Sequence, residues 1–177
     1  LEGNVDGFYQ VQQGIKTTLR GETVNAKYEG ENLQVTVEGG ANGVRLEVPP
    51  ESLNQPGALG TIVFTAQRAS LDKNGGVARL TGKAHAFSTD GPHKFDVTAD
   101  EFVLTRTVGI GGRSQMDKLE TIGRTQLKMD LPPEPAASTP PVETEKDGDK
   151  IQIGRPTHVE AAADAMTITR PDNTLVF

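Results

Sequence analysis

Four times along the chain a glycine follows or interrupts an apolar or Thr-rich run, and further on an alanine opens a second run of alternating polar and apolar residues. The glycines are Gly3, Gly39, Gly82 and Gly123, separated by 36, 43 and 41 residues. The second half-units begin at Ala26, Ala66, Ala99 and Ala163. The last two match closely, as Ala99-Asp100-Glu101-Phe102-Val103-Leu104-Thr105 and Ala163-Asp164-Ala165-Met166-Thr167-Ile168-Thr169. Self-similarity at a near-constant spacing constrains a fold more than composition does, because one motif must then build the whole architecture.

Each half-unit reads as a strand. Leu33, Val35 and Val37 alternate with Gln34, Thr36 and Glu38, and Phe102 and Leu104 alternate with Glu101 and Thr105, so one face is apolar and the other wet. Asn42-Gly43, Asn74-Gly75-Gly76, Asp90-Gly91-Pro92 and Pro171-Asp172-Asn173 supply the φ values that tight reversals need and read as hairpin connections. With 20 Gly, 19 Thr and no Trp, composition favours strands punctuated by turns. Val, Leu, Ile and Phe together number 41 of 177 residues, enough for a core but a thin one. The expected fold is all-β, an antiparallel meander of about ten strands forming a two-sheet roll or β-jellyroll from degenerate repeats, without a true helix. Residues 1–177 form one domain with two loop insertions. At 49–57, Pro49, Pro50 and Pro56 exclude a central strand. The segment 132–150 is Pro-rich, then polar, with little to bury.

Several function classes are excluded. The net charge is −6 and no two Lys or Arg adjoin, so the clustered basic surface that nucleic acid requires is missing. With zero Cys there are neither disulfides nor thiolate sites. Gly109-Ile110-Gly111-Gly112-Arg113-Ser114 lacks the Lys-Ser/Thr of a phosphate loop and reads as a hairpin tip. His85, His93, Asp90, Asp96 and Asp100 show no metal-ligand spacing, with His85 on a strand face and the others around a turn. Asp100 and Asp164, each after an alanine, read as exposed strand starts rather than a glycosidase acid pair. Ser70, Ser88 and Ser114 lack a nucleophile-elbow frame. The chain is read as a non-enzyme without metal or cofactor.

Leu80-Thr81-Gly82-Lys83-Ala84-His85-Ala86-Phe87, followed by Val97-Thr98-Ala99-Asp100-Glu101-Phe102-Val103-Leu104, resembles the OstA-like repeat of the lipopolysaccharide-transport family (LptA, LptC and the periplasmic part of LptD). The same frame recurs at Leu1-Glu2-Gly3-Asn4-Val5 and at 159–168. The resemblance implies a periplasmic, cell-envelope β-jellyroll with an open apolar interior, members joined edge to edge, and lipopolysaccharide or a similar amphiphile as cargo. The chain departs from the family pattern in its two insertions and in ending at Leu175-Val176-Phe177, where another Gly-led strand is expected. That ending suggests a piece of a longer parent.

A fold of this kind can carry lipid because alternation lays a continuous apolar face inside the roll, and each methylene withdrawn from water is worth about 0.8 kcal/mol. The candidate lining is Leu33, Val35, Val37, Leu46, Val48, Ile62, Phe64, Phe87, Phe95, Phe102, Leu104, Leu127, Met129, Met166 and Ile168. Ordinary core packing would use the same residues. Unpaired strands near Leu1–Val11 and Met166–Phe177 are the candidate edges for pairing with another copy or another transport component. Two other classes compete: a structural or adhesive β-repeat scaffold with a solid core, and a carbohydrate-binding accessory domain. The lack of Trp and the presence of only two Tyr disfavour the second.

Overall fold

The computed structural model describes residues 2–12, 15–50, 60–72, 76–91, 93–108, 114–130, 143–146, 149–152, 158–169 and 174–177. The strands are β1 (Glu2–Gln12), β2 (Ile15–Glu29), β3 (Asn32–Glu38), β4 (Val44–Val48), β5 (Ile62–Ala66), β6 (Arg68–Asp72), β7 (Val77–Ser88), β8 (Lys94–Val108), β9 (Ser114–Asp130), β10 (Glu143–Lys146), β11 (Asp149–Gln152), β12 (His158–Thr169) and β13 (Thr174–Val176). A 3₁₀ turn spans Gly40–Asn42, and no described residue lies in an α-helix. The protein is all-β with antiparallel pairing throughout.

The pairing reduces to a simple meander. β3 pairs with the later part of β2 (Thr23–Glu29) and β4 with its earlier part (Thr18–Arg20), so β3 and β4 are two arms of one interrupted strand. β5 and β6 are likewise two arms, broken at Gln67. They pair with β4 and β3 on one side and with the two parts of β7 on the other. The main sheet therefore runs in chain order: β1, β2, β3–β4, β5–β6, β7, β8, β9, β12, β13.

Its interruptions line up across neighbouring strands. Gly3-Asn4 stands opposite Glu22, Gly82-Lys83 opposite Asp100, and Gly123-Arg124 opposite Asp164. Gln67 and the Gly39–Gly43 segment fall on the same line. Bulges bend strands, and a row of them makes a crease. In a flat sheet Phe64 on β5 and Phe102 on β8 would stand roughly 19 Å apart, five residues along and two strands across. Their rings meet edge to face with centroids 6.0 Å apart. The sheet is folded over, with a β4–β5 arm facing a β3–β6 arm across a shared core.

The residues that make the crease explain the sequence recurrence. Along β5–β6, β8 and β12 the inward-facing positions step from Ala66 to Ala69, from Ala99 to Phe102 and from Ala163 to Met166, an advance of three residues instead of the strand's two. The polar residue after each first alanine (Gln67, Asp100 or Asp164) thereby stays on the outside. On β7 and β9 the inward phase is preserved through a left-handed backbone, with φ 82° at Gly82 and 72° at Gly123. These glycines have no room for a side chain. A Cβ on Gly82 would stand 2.5 Å from Gln67 Oε1, and one on Gly123 would overlap the Asp100 carboxylate. Gly40 is covered in the same way by Glu22.

Several expectations are corrected. The first copy of the alanine step is Gly21-Glu22-Thr23-Val24, not the segment from Ala26, which is exposed and pairs with Val35 further out on β2. Asn42-Gly43 does not connect a hairpin: β3 and β4 have no pairing with each other, and the turn carries one strand round the crease. Asp100 and Asp164 lie within β8 and β12, not at strand starts. Part of the 132–150 insertion is a separate antiparallel pair, β10–β11. Pro49 and Pro50 lie outside the strands as expected. Residues 51–59 and the tip 109–113 fall outside the described residues.

Candidate functional site

Fourteen of the fifteen candidate lining residues lie on the inner face by strand alternation, and burial divides them into two groups. Val37, Leu46, Ile62, Phe64, Phe102, Leu104, Leu127 and Met166 are buried in one continuous cluster. Phe64 and Phe102, both 0% exposed, meet at its centre. Leu33, Val35, Val48, Phe95, Met129 and Ile168 are half-buried. They lie away from the crease, and two buried members of the cluster share their rows: Ile62 is in register with Val48, and Leu104 lies in one cross-strand row with Val35 and Ile168. The interior is thus filled near the fold line and oily but partly open along its lips.

Phe87 is the exception. It alternates with the buried Ala84 and Ala86 and shares the outer face with His85, against which its ring packs at 4.9 Å.

The cluster also includes residues absent from the candidate list: Val44, Ala66, Ala69, Leu80, Ala84, Ala86, Val97, Ala99 and Leu119. Leu80, Ala84 and Ala86 were detectable by alternation along β7, but alanines carry little hydropathy signal. Two buried polar residues, Thr121 and Thr125, sit inside as well. The Met166 amide donates to Thr121 Oγ1 at 2.8 Å. The two hydroxyls are 2.6 Å apart, and Thr125 Oγ1 donates to the Gly123 carbonyl at 2.9 Å. These hydroxyls satisfy backbone groups that the crease takes out of regular pairing.

The outer face is charged. Arg20–Asp6 (2.9 Å), Arg68–Glu38 (3.1 Å), Arg79–Glu101 (2.7 Å) and Lys128–Glu160 (3.4 Å) are exposed ion pairs between strands, each contributing little stability but keeping that surface wet. A shallow groove of about 340 Å³ on β9 and β12 is lined by Gln126, Leu127, Lys128, Glu160, Ala161 and Ala162.

The polar residues considered for chemistry do not converge. His85 shares the outer face with Asp96, bonding it at 3.0 Å, which corrects the expectation that Asp96 sits around a turn apart from the His85 strand face. Asp90 Oδ1 accepts from the Thr61 amide at 2.6 Å, which holds its carboxyl below the usual range, with the Thr89 hydroxyl assisting. Asp100 packs over Gly123, and the His93 carbonyl accepts from Ser88. Among the described residues no group of three or more His, Cys, Asp or Glu side chains is arranged to hold a metal ion.

At the end of β9 and the start of β12, His158 lies between two carboxylates: Nδ1 hydrogen-bonds Asp130 Oδ1 at 2.7 Å and Nε2 stands at ion-pair distance, 3.3 Å, from Glu160 Oε1. The Asp130 bond, followed by Glu160, raises the imidazole above its ordinary value. The bond from His158, with Lys128 assisting, lowers Glu160.

Among the described residues β1 pairs only with β2 and β13 only with β12, so these are the sheet's edges. Val176 and Phe177 are exposed beside the second. No described helix is long and apolar enough to cross a membrane. Neither a family model nor a curated protein matches the chain.

Proposed function

We propose that the protein is a periplasmic, cell-envelope carrier that shelters the acyl chains of lipopolysaccharide or a similar amphiphile between the two arms of its folded sheet. The observation that carries this reading is the graded inner face, with half-buried Leu33, Val35, Val48, Phe95, Met129 and Ile168 lying away from a solid centre. A hydrocarbon tail laid along these side chains replaces water against both surfaces, at about 0.8 kcal/mol per methylene. Such contacts are nondirectional, which suits passive holding and hand-off rather than catalysis. The resemblance to the OstA-like repeat supports the same assignment, and the edges at β1 and β13 are the surfaces on which neighbouring transport components would add strands.

A second reading, a rigid β-scaffold without ligand, is favoured by the close contact of Phe64 with Phe102, which leaves the middle of the fold occupied. Binding of radiolabelled lipid A separates the two. The carrier reading expects saturable uptake, weakened at least about tenfold by Phe95→Asp or Ile168→Asp at the lips and unchanged by Phe87→Asp on the outer face, with circular dichroism showing the fold retained. Well-folded protein that takes up no lipid overturns the carrier reading and leaves the scaffold.

A further inference from the structure

The two carboxylate contacts of His158, a hydrogen bond to Asp130 and an ion-pair contact with Glu160, carry more information than either alone. A neutral imidazole has one N–H and one lone pair, so it can donate to only one carboxylate. Here Nδ1 faces Asp130 and Nε2 faces Glu160, at 2.7 and 3.3 Å. Only the doubly protonated ring satisfies both. We propose that His158 is a protonation-operated pin that fastens the start of β12 to the end of β9, tight as the imidazolium and slack once the ring loses a proton.

The charged neighbours make the device directional. Lys94 on β8 lies in register with Asp130 on β9, which lies in register with His158 on β12. In the next outward-facing row Asp96, Lys128 and Glu160 are aligned across the same three strands. His85 on β7 bonds Asp96 from the far side. With His158 charged, the six groups of the two rows alternate in sign and cancel. With it neutral, Asp130 and Glu160 flank an uncharged ring and the two rows carry one excess negative charge. A ring that holds its proton above the ordinary 6.5 strengthens the folded strand below that pH, and the contribution is lost as pH rises through the raised value. The strand so controlled is the one beside the edge strand β13, and its inward residues Val159, Ala161 and Ala163 are half-buried. The pin does not depend on what the interior binds.

The test is an NMR titration of the imidazole resonances of the intact protein, with amide hydrogen exchange across Val159–Ala161 corrected for the intrinsic pH dependence of exchange. His158 is expected to titrate above 6.5 and to move back towards it in Asp130→Asn and in Glu160→Gln, each separately. Protection of the Val159–Ala161 amides is expected to fall by about two- to fivefold as pH passes the ring's midpoint, with no such step in His158→Gln. A ring that titrates at or below 6.5, or that neither carboxylate variant moves, overturns the pin. So does a high titration point without a step in protection. All three side chains are exposed, so the variants leave the core intact.

Discussion

Gly123→Ala puts the crease itself under test. Gly123 has φ 72°, a region that costs an L-residue about 1–2 kcal/mol. The new methyl would also overlap the Asp100 carboxylate, with Asp100 Cβ 2.9 Å away, and forcing that side chain off its rotamer costs about 0.5–1.5 kcal/mol. Lost freedom in the unfolded chain offsets about 0.4–1 kcal/mol. The net loss is roughly 2 kcal/mol, which for a chain of this size lowers Tm by roughly 4–8 °C. Urea denaturation followed by circular dichroism measures it, with the slope checked for constancy. Adding Asp100→Ala should recover the carboxylate's part of the steric share, less than about 1 kcal/mol, because its Cβ still stands 2.9 Å from the new methyl, and should leave the backbone share in place. Gly7 is the control, since its φ is not in the left-handed region and a Cβ there meets only the Leu19 carbonyl oxygen, at 3.7 Å. If Gly123→Ala and Gly7→Ala both fall within about 0.5 kcal/mol of wild type, the bend does not depend on these contacts and the explanation of the repeat fails.

Phe102→Ala removes a fully buried ring from between the two arms and should cost about 3–5 kcal/mol in the same assay; Phe87→Ala, on the outer face, should cost far less. Thr121→Val deletes the acceptor of the buried Met166 amide and should cost about 1–3 kcal/mol, with Thr121→Ser recovering most of it. Asp90, held below 3.8 by the Thr61 amide, contributes stability present above the unfolded carboxyl's value and lost as pH falls through the lowered one. Its carboxyl resonance should therefore titrate below 3.8, and the acid limb of the stability profile should be shallower in Asp90→Asn.

Strand content and the inner face were legible because alternation is a local, period-two signal: Leu33-Val35-Val37 and Phe102-Leu104 lie where it puts them. The alanine steps were legible as a recurrence but not as a mechanism. Their meaning is a shift of phase relative to Gly82 and Gly123 on neighbouring strands, and no single segment contains that relation. For the same reason the first copy was misplaced at Ala26, since Gly21-Glu22 lacks the alanine yet performs the same step. Asn42-Gly43 carried a hairpin's residues but serves a corner, because β2 spans both arms and keeps β3 and β4 from meeting. Phe87 stands in the alternation-based lining as an apolar strand residue, but the parity set by buried Ala84 and Ala86 turns it outward. The division between buried and half-buried inner positions depends on place across the sheet as well as distance from the crease, since Leu104 is buried in the same row as half-buried Val35 and Ile168, and a list of apolar residues contains neither.

The carrier account is tested most directly by methyl NMR of the Ile, Leu and Val side chains during titration with lipid A. The account predicts saturable shifts at Leu33, Val35, Val48 and Ile168, on the lips of both arms, with Val63 and Val103, which are buried but whose parity turns them away from the inner cluster, unmoved. Absence of saturable shifts, or shifts confined to the outer face, would contradict it.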